Sequence, residues 1–520
     1  MITLKNICKN FGAQIVLQDV NLTIFENDCL ALVGNNGSGK TTLLKILVGI
    51  LEPDDGVIEK QNSIKLGYFP QEISDENNEL TAEDFLAEQL TIEKNEIYGE
   101  IGSLFHKLQL NPDKLKQKLG LLSGGEKTKI LLMLILKSQA DIFLLDEPTN
   151  NLDLRGLILL ENFIESSQKG FLIVSHDRKI LDHLVKGIIE IDDQTHHIQI
   201  YRNYTYSGYL RECIDKEIQL QESYQDYIDE KHRLERTIRV KKQEAQNIQR
   251  GPRKARDRDK FIIGFKKDRS KKIASQASAI EKRLEQMEVV EKPKQPLPLK
   301  LKFDLIEKSG DVVFRLKDAK ICYGHGFCLG PINLDVSYGD RIVILGPNGE
   351  GKTTLLRLLL NQIHPDEGSN LIGHRVNIGY LPQEIQFLPG DTVLEYFLRE
   401  AALDETNARR ILTRFGFTLL DIDTEITKIS PGQRSRLTLA ILMSHQVNCL
   451  VMDEPSNHLD VEALDHLENA LKCFPGTIVM VSHDRYFIDQ VGMNKTYLLE
   501  DGKIRSLVDY HVYEAEILNS

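Results

Sequence analysis

Short apolar runs alternate with longer amphipathic stretches near both ends of the chain. In the first such region the run Asp28–Gly34 (DCLALVG) precedes Thr41–Gly49 (TTLLKILVG), and Ile142–Glu147 (IFLLDE) follows further on. Four to six apolar residues bounded by glycine or by charge are typical of buried strands, whereas leucines and isoleucines at steps of three and four favour a helix. This alternation predicts an α/β core in each region.

The middle of the chain loses the strand pattern after Tyr209. Apolar residues four positions apart predict one long helix there: Ile214 and Ile218, Tyr224 and Ile228, Leu234 and Ile238. After a turn near Gly251 and Pro252, apolar residues alternate steps of four and three, which is the spacing of a coiled-coil seam: Ile273, Ala277, Ile280, Leu284 and Met287. Two helices folded into an antiparallel hairpin are the simplest structure that satisfies both patterns.

The two end regions are copies of each other. The segment GNNGSGKT (Gly34–Thr41) recurs as GPNGEGKT (Gly346–Thr353), which displaces Lys40 to Lys352, a shift of 312 residues. Two further pairs share this shift: Phe11 with Tyr323, and Gln71 with Gln383. Three later pairs differ by 307: Ser123 with Ser430, Glu147 with Glu454, and His176 with His483. One duplication with a five-residue length difference explains the whole set.

These patterns predict four segments. Residues 1–205 and 301–520 are the two α/β copies, 206–292 are the helical hairpin with its tip at about 250–266, and 293–300 are a proline-rich connector. A chain of 520 residues is too long for one hydrophobic core, which agrees with several domains.

Composition narrows the class of protein. Hydrophobic residues make up 41% of the chain and charged residues 27%, as in globular proteins. Seven cysteines without a CxxC pair indicate neither a disulfide framework nor a zinc site, so we expect reduced thiols. The N-terminus resembles a strand and not a secretory signal, and the longest apolar run, Ile130–Leu136, is far shorter than the roughly 20 residues needed to cross a bilayer. We therefore expect a soluble cytoplasmic protein that does not insert into membranes.

The repeated glycine-rich segments predict two phosphate-binding loops. Such a loop between a strand and a helix directs backbone N–H groups at phosphate oxygens, and its lysine supplies a balancing charge. The hydroxyls of Thr41 and Thr353 are expected to bind Mg²⁺. The predicted ligands of ATP in these loops are Gly34, Asn35, Gly37, Ser38, Gly39, Lys40, Thr41 and Thr42 in the first copy and Gly346, Asn348, Gly349, Glu350, Gly351, Lys352, Thr353 and Thr354 in the second.

Acidic pairs at the ends of buried strands predict the rest of the chemistry. IFLLDE and CLVMDE place Asp146 and Asp453 where each can hold the metal, and Glu147 or Glu454 next to it can polarise an attacking water. His176 and His483, each in VSHD, are expected to reach the γ-phosphate. The alternative, a strand that merely ends in solvated acids, does not explain the paired loops.

The complete set resembles the ATP-binding-cassette ATPases. The segments LSGGE (Leu122–Glu126) and ISPGQ (Ile429–Gln433) match the signature motif of that superfamily. The resemblance implies the fold, which is α/β with two P-loop ATP-binding-cassette domains joined by a long α-helical antiparallel hairpin linker. It also implies head-to-tail packing, in which Ser123 faces the ATP held by Lys352 and Ser430 faces the ATP held by Lys40.

The same resemblance assigns the remaining contacts. Gly125 and Gly432 belong to the signature motifs, Phe11 and Tyr323 correspond to the aromatic residue that stacks on adenine, and Gln71 and Gln383 to the glutamine that senses metal and water. Pro431 stands where glycine is usual, which leads us to expect two working but unequal sites. The segments EPTNNLD and EPSNHLD also differ, with Asn151 against His458.

Further motifs resemble the ABC-F family of ribosome-associated ATPases: LENFI and LENAL after the acidic pairs, SHDRYFIDQV, and NYTYSGYL before the hairpin. This implies binding at the ribosomal tRNA exit site, with the hairpin reaching ribosomal RNA, the P-site tRNA and the peptidyl-transferase centre. The alternatives are the ATPase component of an exporter with a separate membrane subunit, and an ATP-gated DNA clamp. For an ABC-F protein, we expect a monomeric chain whose two cassettes pair with each other.

The charge of the hairpin supports a nucleic-acid partner. From Lys231 to Arg283 there are 19 Lys and Arg against 6 Asp and Glu, in a chain whose net charge is −12. The candidate RNA-binding residues at the tip are Arg250, Arg253, Lys254, Arg256, Arg258, Lys260, Phe261 and Phe265. A solvated helical pair whose lysines only maintain solubility is the alternative. The interval between Gln71 and the signature motif exceeds that of the second copy by only five residues. A short interval together with a long hairpin resembles the branch of the ABC-F family that protects ribosomes from antibiotics.

Overall fold

The computed structural model describes most of the chain. Outside the description lie residues 36, 62, 194, 250–259, 288–306, 324–326, 384–388, 402, 457, 458, 460 and 520, and the side chains of 249, 260–267, 431, 461, 462 and 519. The chain forms two compact units. One consists of Met1–Tyr206 with Leu297–Ser520, and the other of Ser207–Pro296. Below, residues 1–206 are the first lobe and residues 307–519 the second lobe.

The first lobe is an α/β structure. Its strands are β1 (Ile2–Phe11), β2 (Gln14–Ile24), β3 (Cys29–Val33), β4 (Asp55–Lys60), β5 (Leu66–Phe69), β6 (Ile142–Asp146), β7 (Gly170–Val174), β8 (Gly187–Ile191) and β9 (Ile198–Arg202). Its helices are α1 (Lys40–Val48), α2 (Ala82–Leu90), α3 (Lys94–Lys107), α4 (Gly124–Lys137), α5 (Leu154–Ser166) and α6 (Arg178–Leu184). The helices α7 (Tyr206–Gln249) and α8 (Lys260–Glu285) follow.

The second lobe repeats this order. Its strands are β10 (Val312–Tyr323), β11 (Phe327–Ser337), β12 (Arg341–Leu345), β13 (Glu367–Ile372), β14 (Ile378–Leu381), β15 (Cys449–Asp453), β16 (Thr477–Val481), β17 (Lys495–Glu500) and β18 (Lys503–Leu507). Its helices are α9 (Lys352–Leu359), α10 (Val393–Ala401), α11 (Glu405–Arg414), α12 (Leu419–Ile422), α13 (Pro431–Ser444), α14 (Val461–Lys472), α15 (Arg485–Val491) and α16 (Tyr510–Asn519).

Both lobes share one sheet topology, which confirms the predicted fold class. The first lobe has a six-stranded sheet in the order β5-β6-β7-β3-β8-β9 and a three-stranded sheet β2-β1-β4, and the second lobe has β14-β15-β16-β12-β17-β18 and β11-β10-β13. The six-stranded sheets are parallel except at β9 and β18. Every residue of β6, β7, β15 and β16 is buried, as a parallel sheet covered on both faces requires.

The two lobes share part of a core. Leu154 and Ile158 of α5 lie in the same buried cluster as Tyr513 and Ile517 of α16, although α5 belongs to the first lobe and α16 to the second. Burying such side chains is worth roughly 1.5–3 kcal/mol each, so this contact explains why the lobes form one compact unit.

The other unit is an antiparallel pair of helices. Lys241 Nζ donates to Gln276 Oε1 at 2.7 Å, and Ser270 Oγ donates to the carbonyl of Ala245 at 3.1 Å. Glu230, earlier in α7, pairs with Arg283, later in α8. Residues of the predicted seam in α8 are buried or half-buried while most of their neighbours are exposed. In contrast, Ile214 and Ile218 are exposed, so the early part of the predicted apolar stripe of α7 remains uncovered. The predicted tip and the proline-rich connector lie largely outside the described residues.

The expectation of reduced thiols is wrong for one pair. Cys322 and Cys328 form a disulfide with an S–S distance of 2.12 Å. The antiparallel register of β10 and β11 places these two residues directly opposite each other. Cysteine spacing along the chain does not reveal this pairing, because it depends on the register of two strands.

Arg341 donates hydrogen bonds to backbone carbonyls at or just after the C-terminal ends of two helices, α14 and α15. Arg341 donates through Nη1 to the carbonyl of Val491 at 2.6 Å, and through Nη2 to those of Leu471 at 2.9 Å and Phe474 at 2.8 Å. The last carbonyls of a helix have no partner within it, so a half-buried charged donor there stabilises the packing of α14 and α15. Cys29 occupies the corresponding position of the first lobe.

We expect Arg341→Met to lower the free energy of unfolding of the second lobe by roughly 2–3 kcal/mol, because several carbonyls are left without a charged donor. Calorimetric melting is the measurement. Arg315→Met is the matched control, since Arg315 forms only an exposed pair with Asp335 and is expected to matter by less than about 0.5 kcal/mol. Equal destabilisation by both variants would contradict the assigned role of Arg341.

Candidate functional site

The two glycine-rich loops have the same backbone conformation. Gly39 and Gly351, the residues that precede α1 and α9, have φ of 103° and 92°, in the left-handed region. A Cβ at Gly351 would lie 2.9 Å from the ring of Phe327, so a larger residue would meet both strain and a clash. The loop therefore keeps backbone amides turned toward one concave space in front of each helix.

The predicted lysines lie across these loops. Lys40 Nζ donates to the carbonyl oxygens of Gly34 at 2.7 Å and Asn35 at 2.9 Å. Lys352 Nζ donates to those of Gly346 at 2.8 Å and Pro347 at 2.9 Å. Burial lowers the pKa of Lys352, while the nearby carboxylate of Glu454 opposes this effect. Each ammonium is thus held where a polyphosphate in the loop would meet it.

A threonine and an aspartate meet beside each lysine. Thr353 Oγ1 donates to Asp453 Oδ2 at 2.7 Å, and Asp146 has a side-chain hydrogen bond to Thr41. Burial raises the pKa of both aspartates, and the hydrogen bonds from the threonines lower it. Adjacent hydroxyl and carboxylate oxygens are the ligands that Mg²⁺ prefers, so these pairs fit the predicted metal.

The glutamate after each aspartate has a strained backbone. Glu147 has φ of 50° and Glu454 has φ of 49°, a region that costs a non-glycine residue of order 1 kcal/mol. The backbone N–H groups of these glutamates donate to the carbonyls of Val174 and Val481 on the neighbouring strand. This conformation directs each glutamate away from its strand and toward the loop.

Each glutamate faces the predicted histidine. Glu147 Oε1 lies 3.2 Å from His176 Nε2, and Glu454 Oε1 lies 3.4 Å from His483 Nε2. Burial raises the pKa of Glu454 to about 7 and lowers the pKa of His483 to about 3, so this histidine is neutral at pH 7. Burial also raises the pKa of Glu147.

Residues of both lobes line one cavity of about 630 Å³. The first lobe contributes Ser123, Gly124, Gly125, Asn151 and His176, among others, and the second contributes Asn348, Gly349, Gly351, Lys352, Thr353, Thr354, Gln383, Asp453, Glu454 and His483. We call this the second-lobe site. The group formed by Lys40, Thr41, Asp146, Glu147 and His176 is the first-lobe site, and His176 borders both sites.

Two hydrogen bonds cross between the lobes at the second-lobe site, and an ion pair within the first lobe holds one of the acceptors. The N–H of Asn348 donates to Asp153 Oδ2 at 3.2 Å, and Asn348 Nδ2 donates to the carbonyl of Asn151 at 2.7 Å. Asp153 in turn pairs with the buried Lys129 at 3.1 Å. Asp153 and Lys129 were not among the predicted site residues. Their recurrence as Asp460 and Arg436 at the shift of 307 was the signal that could have identified them.

Both signature serines begin a helix in the same way. Ser123 accepts from the N–H of Glu126 and Ser430 from the N–H of Gln433, and both serines have φ of −65° and ψ of 159°. Pro431 occupies the first turn of α13 without changing this cap, which is a position that accepts proline. The facing of Ser430 and Lys40 stays a prediction, because residues 36, 457, 458 and 460 lie outside the description.

The remaining predicted ligands are at the surface. Phe11 is 52% exposed and Tyr323 is 45% exposed, each at the end of the first strand of its lobe, where a base could stack on it. Gln71 is exposed, whereas Gln383 lines the cavity of the second-lobe site.

Ser38 Oγ and Glu147 Oε2 are buried without a hydrogen-bond partner among the described residues, as expected of groups that await a ligand.

The predicted RNA contacts are not tested by the structure. Arg250, Arg253, Lys254, Arg256 and Arg258 lie outside the described residues. Lys260, Phe261 and Phe265 belong to α8, but their side chains are not described.

Among the helices of the described part, none has the length and apolar character that crossing a membrane requires.

Comparison with known proteins agrees with this geometry. The family described as ABC transporter matches residues 17–150 and 329–457. The chain is 31% identical to putative ATP-binding protein YdiF of Bacillus subtilis (strain 168), over 99% of this chain and 82% of that protein. It is 31% identical to ribosome protection protein VmlR of the same organism, over 98% and 88%, and 30% identical to ABC transporter F family member 5 of Arabidopsis thaliana, over 98% and 77%.

A solved structure shows the same fold. The crystal structure of the complex of archaeal ribosomal stalk protein aP1 and archaeal ribosome recycling factor aABCE1 matches with a TM-score of 0.64 at 20% identity, over 98% of this chain and 92% of the other. The duplicated family match, the relatives that cover nearly the whole chain and the paired P-loop lobes agree with one another. The chain belongs to the ABC-F family and is an ATPase of the ATP-binding-cassette type.

Proposed function

We propose that this chain is a cytoplasmic, monomeric translation factor that closes its two lobes around ATP and Mg²⁺ while it is bound to a ribosome, and that hydrolysis releases it. The observation that carries the proposal is the second-lobe site, because Lys352 and Ser123 line one cavity although they belong to different lobes. ATP in this cavity would contact both lobes and therefore favour their closed arrangement.

Each residue of the second-lobe site has one role in this proposal. Backbone amides of the loop and Lys352 bind the phosphates, and Thr353 and Asp453 hold Mg²⁺, which neutralises charge on the phosphates when bound. Ser123 and Gly125 approach the γ-phosphate from the other lobe. Gln383 lies in the same cavity, where it can orient the metal and the attacking water.

Glu454 is the proposed base of this site. Its pKa of about 7 is near the operating pH, which is where a general base is most effective. His483 is neutral at pH 7 because its pKa is lowered to about 3, so it can donate one N–H toward a phosphate without carrying a charge. Glu147 and His176 have the same relation in the first-lobe site, with Lys40, Thr41 and Asp146 as the phosphate and metal ligands.

The ribosomal part of the proposal rests on the family and on the hairpin. One relative is a ribosome protection protein. Basic residues of the described hairpin are exposed to solvent, which suits contact with an RNA backbone: Arg233, Arg236, Arg239, Lys242, Arg269, Lys271 and Lys272. We propose binding near the tRNA exit site, with the hairpin reaching the P-site tRNA and the peptidyl-transferase centre, and protection from antibiotics that bind there.

We expect Glu147→Gln with Glu454→Gln to trap the protein on ribosomes in the presence of ATP, because both sites then bind ATP without hydrolysing it. Sedimentation with purified ribosomes is the measurement. The same double variant with ADP is the control and is expected to stay in the supernatant. Absence from the ribosomal pellet, with closure by ATP confirmed separately, would reject the ribosomal role and favour an exporter ATPase.

We expect ribosome binding by the trapped double variant to weaken strongly when four basic residues of the hairpin are changed to glutamine. The logarithm of affinity should then depend less steeply on the logarithm of salt, by roughly 0.7–0.9 for each phosphate that is no longer neutralised. Replacing four exposed lysines of the first lobe is the matched control for net charge. The hairpin set is Arg233, Arg236, Arg269 and Lys272. The control set is Lys5, Lys60, Lys107 and Lys116. An equal weakening by both sets would indicate that only net charge matters.

We expect kcat/KM of the Glu147→Gln variant to rise with pH and to level off above about 7, since Glu454 must release its proton to act as a base. An ordinary carboxyl would give this rise near pH 4–5. Hydrolysis by this variant, with Mg²⁺ in excess, is followed between pH 5 and 9. A flat profile across this range would contradict the role of Glu454 as a base of raised pKa.

A further inference from the structure

A group of charged residues with two buried arginines at its centre joins the two lobes beside both sites. It consists of Arg178, Lys179, Asp177 and Glu161 of the first lobe and Arg485, Asp484, Asp465, Glu468 and Glu514 of the second, and we call it the interlobe ion network. Arg178 corresponds to Arg485, and Glu161 to Glu468, at the shift of 307 that relates the two copies. The network therefore contains two arginine–glutamate pairs at corresponding positions of the two copies.

Each arginine crosses to a helix of the other lobe. Arg178 Nη1 donates to Asp465 Oδ1 at 2.6 Å, and Arg178 Nη2 lies 3.4 Å from Glu468 Oε1, both on α14. Arg485 Nη1 donates to Glu161 Oε2 on α5 at 3.0 Å, and Arg485 Nη2 donates to the other carboxylate oxygen of Glu161. The second pair is a bidentate contact, which specifies direction as well as distance.

The arginines of these pairs are buried, so stability alone does not explain them. Arg178 is 5% exposed and Arg485 is 4% exposed. Removing two charges from water costs about as much as their attraction returns, and apolar residues of similar size often stabilise a fold equally well. A buried ion pair does, however, specify one relative position of two surfaces.

Each arginine is close in sequence to one of the predicted histidines. Arg178 is the first residue of α6 and Arg485 is the first residue of α15, and each follows the histidine by two positions. The intervening residues, Asp177 and Asp484, cap these helices by accepting from the N–H groups of Ile180 and Phe487. Because the capping aspartate lies between them, each arginine and its histidine belong to one hydrogen-bonded turn.

The helix that receives Arg485 begins at the second-lobe site. Asp153 caps α5 and accepts from the N–H of Asn348 in the phosphate loop of the second lobe. Glu161 lies eight residues further along, about 12 Å away at the helical rise. Helix α5 thus has one contact at the glycine-rich loop of the second lobe and another beside His483, in addition to its packing against α16.

We propose that Arg178 and Arg485 are positioning residues that hold the turns of His176 and His483 against helices α14 and α5 of the opposite lobe, each for the site of its own lobe. This inference rests on the proposed catalytic roles of Glu147, Glu454 and the histidines. When the lobes close, the bidentate contact of Arg485 with Glu161 brings His483 and Glu454 into register with the loop that Asp153 contacts. Arg178 does the same for His176 through Glu468.

The test uses variants in which only one site turns over. Glu147→Gln leaves hydrolysis at the second-lobe site, and Glu454→Gln leaves it at the first-lobe site. We expect Glu161→Ala to lower kcat roughly tenfold in the first background and less than about threefold in the second, since a misplaced catalytic turn slows chemistry without removing phosphate ligands. Glu468→Ala is expected to give the reverse pattern.

A structural role would give a different result. If the ion pairs only held the lobes together, each substitution would lower turnover at both sites equally and would weaken ATP binding in proportion. Binding of a fluorescent ATP analogue to full-length protein separates these cases, and we expect its Kd to change less than about twofold. An equal decrease at both sites, or a decrease in affinity equal to that in kcat, would overturn the inference.

Two additional variants complete the design. Arg155→Gln is the matched control, because Arg155 lies on the same helix and pairs across the lobes with Glu500 at 3.2 Å but does not reach a histidine turn. We expect it to leave both turnover rates within about twofold. Arg485→Gln combined with Glu161→Gln should be no slower than the worse single variant, since each acts through the other. Additive decreases would contradict the pairing.

Failure of the underlying function is distinguishable from failure of this inference. Hydrolysis is measured without ribosomes, so a missing ribosomal role would leave the experiment intact. If Glu147→Gln and Glu454→Gln do not each remove part of the turnover, the proposed bases are wrong. If both do so but Glu161→Ala and Glu468→Ala show no preference for a site, only the positioning role is rejected.

Discussion

Buried charge at the ends of parallel strands is the constraint on which the rest of the structure depends. Asp146 and Asp453 end strands whose residues are all buried, and Glu147 and Glu454 follow them in equally dry surroundings. Burial raises the pKa of all four carboxyls. Charges in such a place must be compensated by a lysine, a metal or both. The glycine-rich loop of each lobe satisfies this need, because its lysine and threonine lie beside these carboxyls.

The same constraint explains why two lobes are needed. One lobe supplies a loop, a lysine and carboxylates around a concave space, and that space remains open to solvent until another surface covers it. The helix that begins at Ser123 supplies that surface for the second-lobe site, with amides and a dipole that favour an anion. Water is excluded only when both parts meet, so the electrostatic contacts are strongest in the closed arrangement.

The sequence predicted the elements that local patterns determine. The repeat displaced by 312 and 307 residues identified both glycine-rich loops, both acidic pairs and both histidines as candidates, and the structure places the glutamate of each acidic pair beside the histidine of its lobe. Helical periodicity predicted the hairpin, although Ile214 and Ile218 proved to be exposed. Chain-wide duplication was informative because it tests a motif twice within one molecule.

Contacts between residues far apart in the sequence were not predicted. Arg485 and Glu161 are separated by 324 positions, and Arg178 and Glu468 by 290, so no periodicity connects them. The pairing of Lys129 with Asp153 is shorter in sequence but depends on how α4 meets the loop before α5. The disulfide between Cys322 and Cys328 depends on strand register, which the alternation of residues in β10 and β11 did not specify.

The interlobe contacts also bear on how two sites in one chain can differ. The signature caps of Ser123 and Ser430 are the same in conformation, so Pro431 alone does not distort the second signature. Its effect is chemical, because proline lacks the N–H that glycine offers at this position. The two signature motifs therefore differ by one backbone donor. The arginine–glutamate pairs also differ, because Arg485 makes a bidentate contact with Glu161 whereas Arg178 lies 3.4 Å from Glu468.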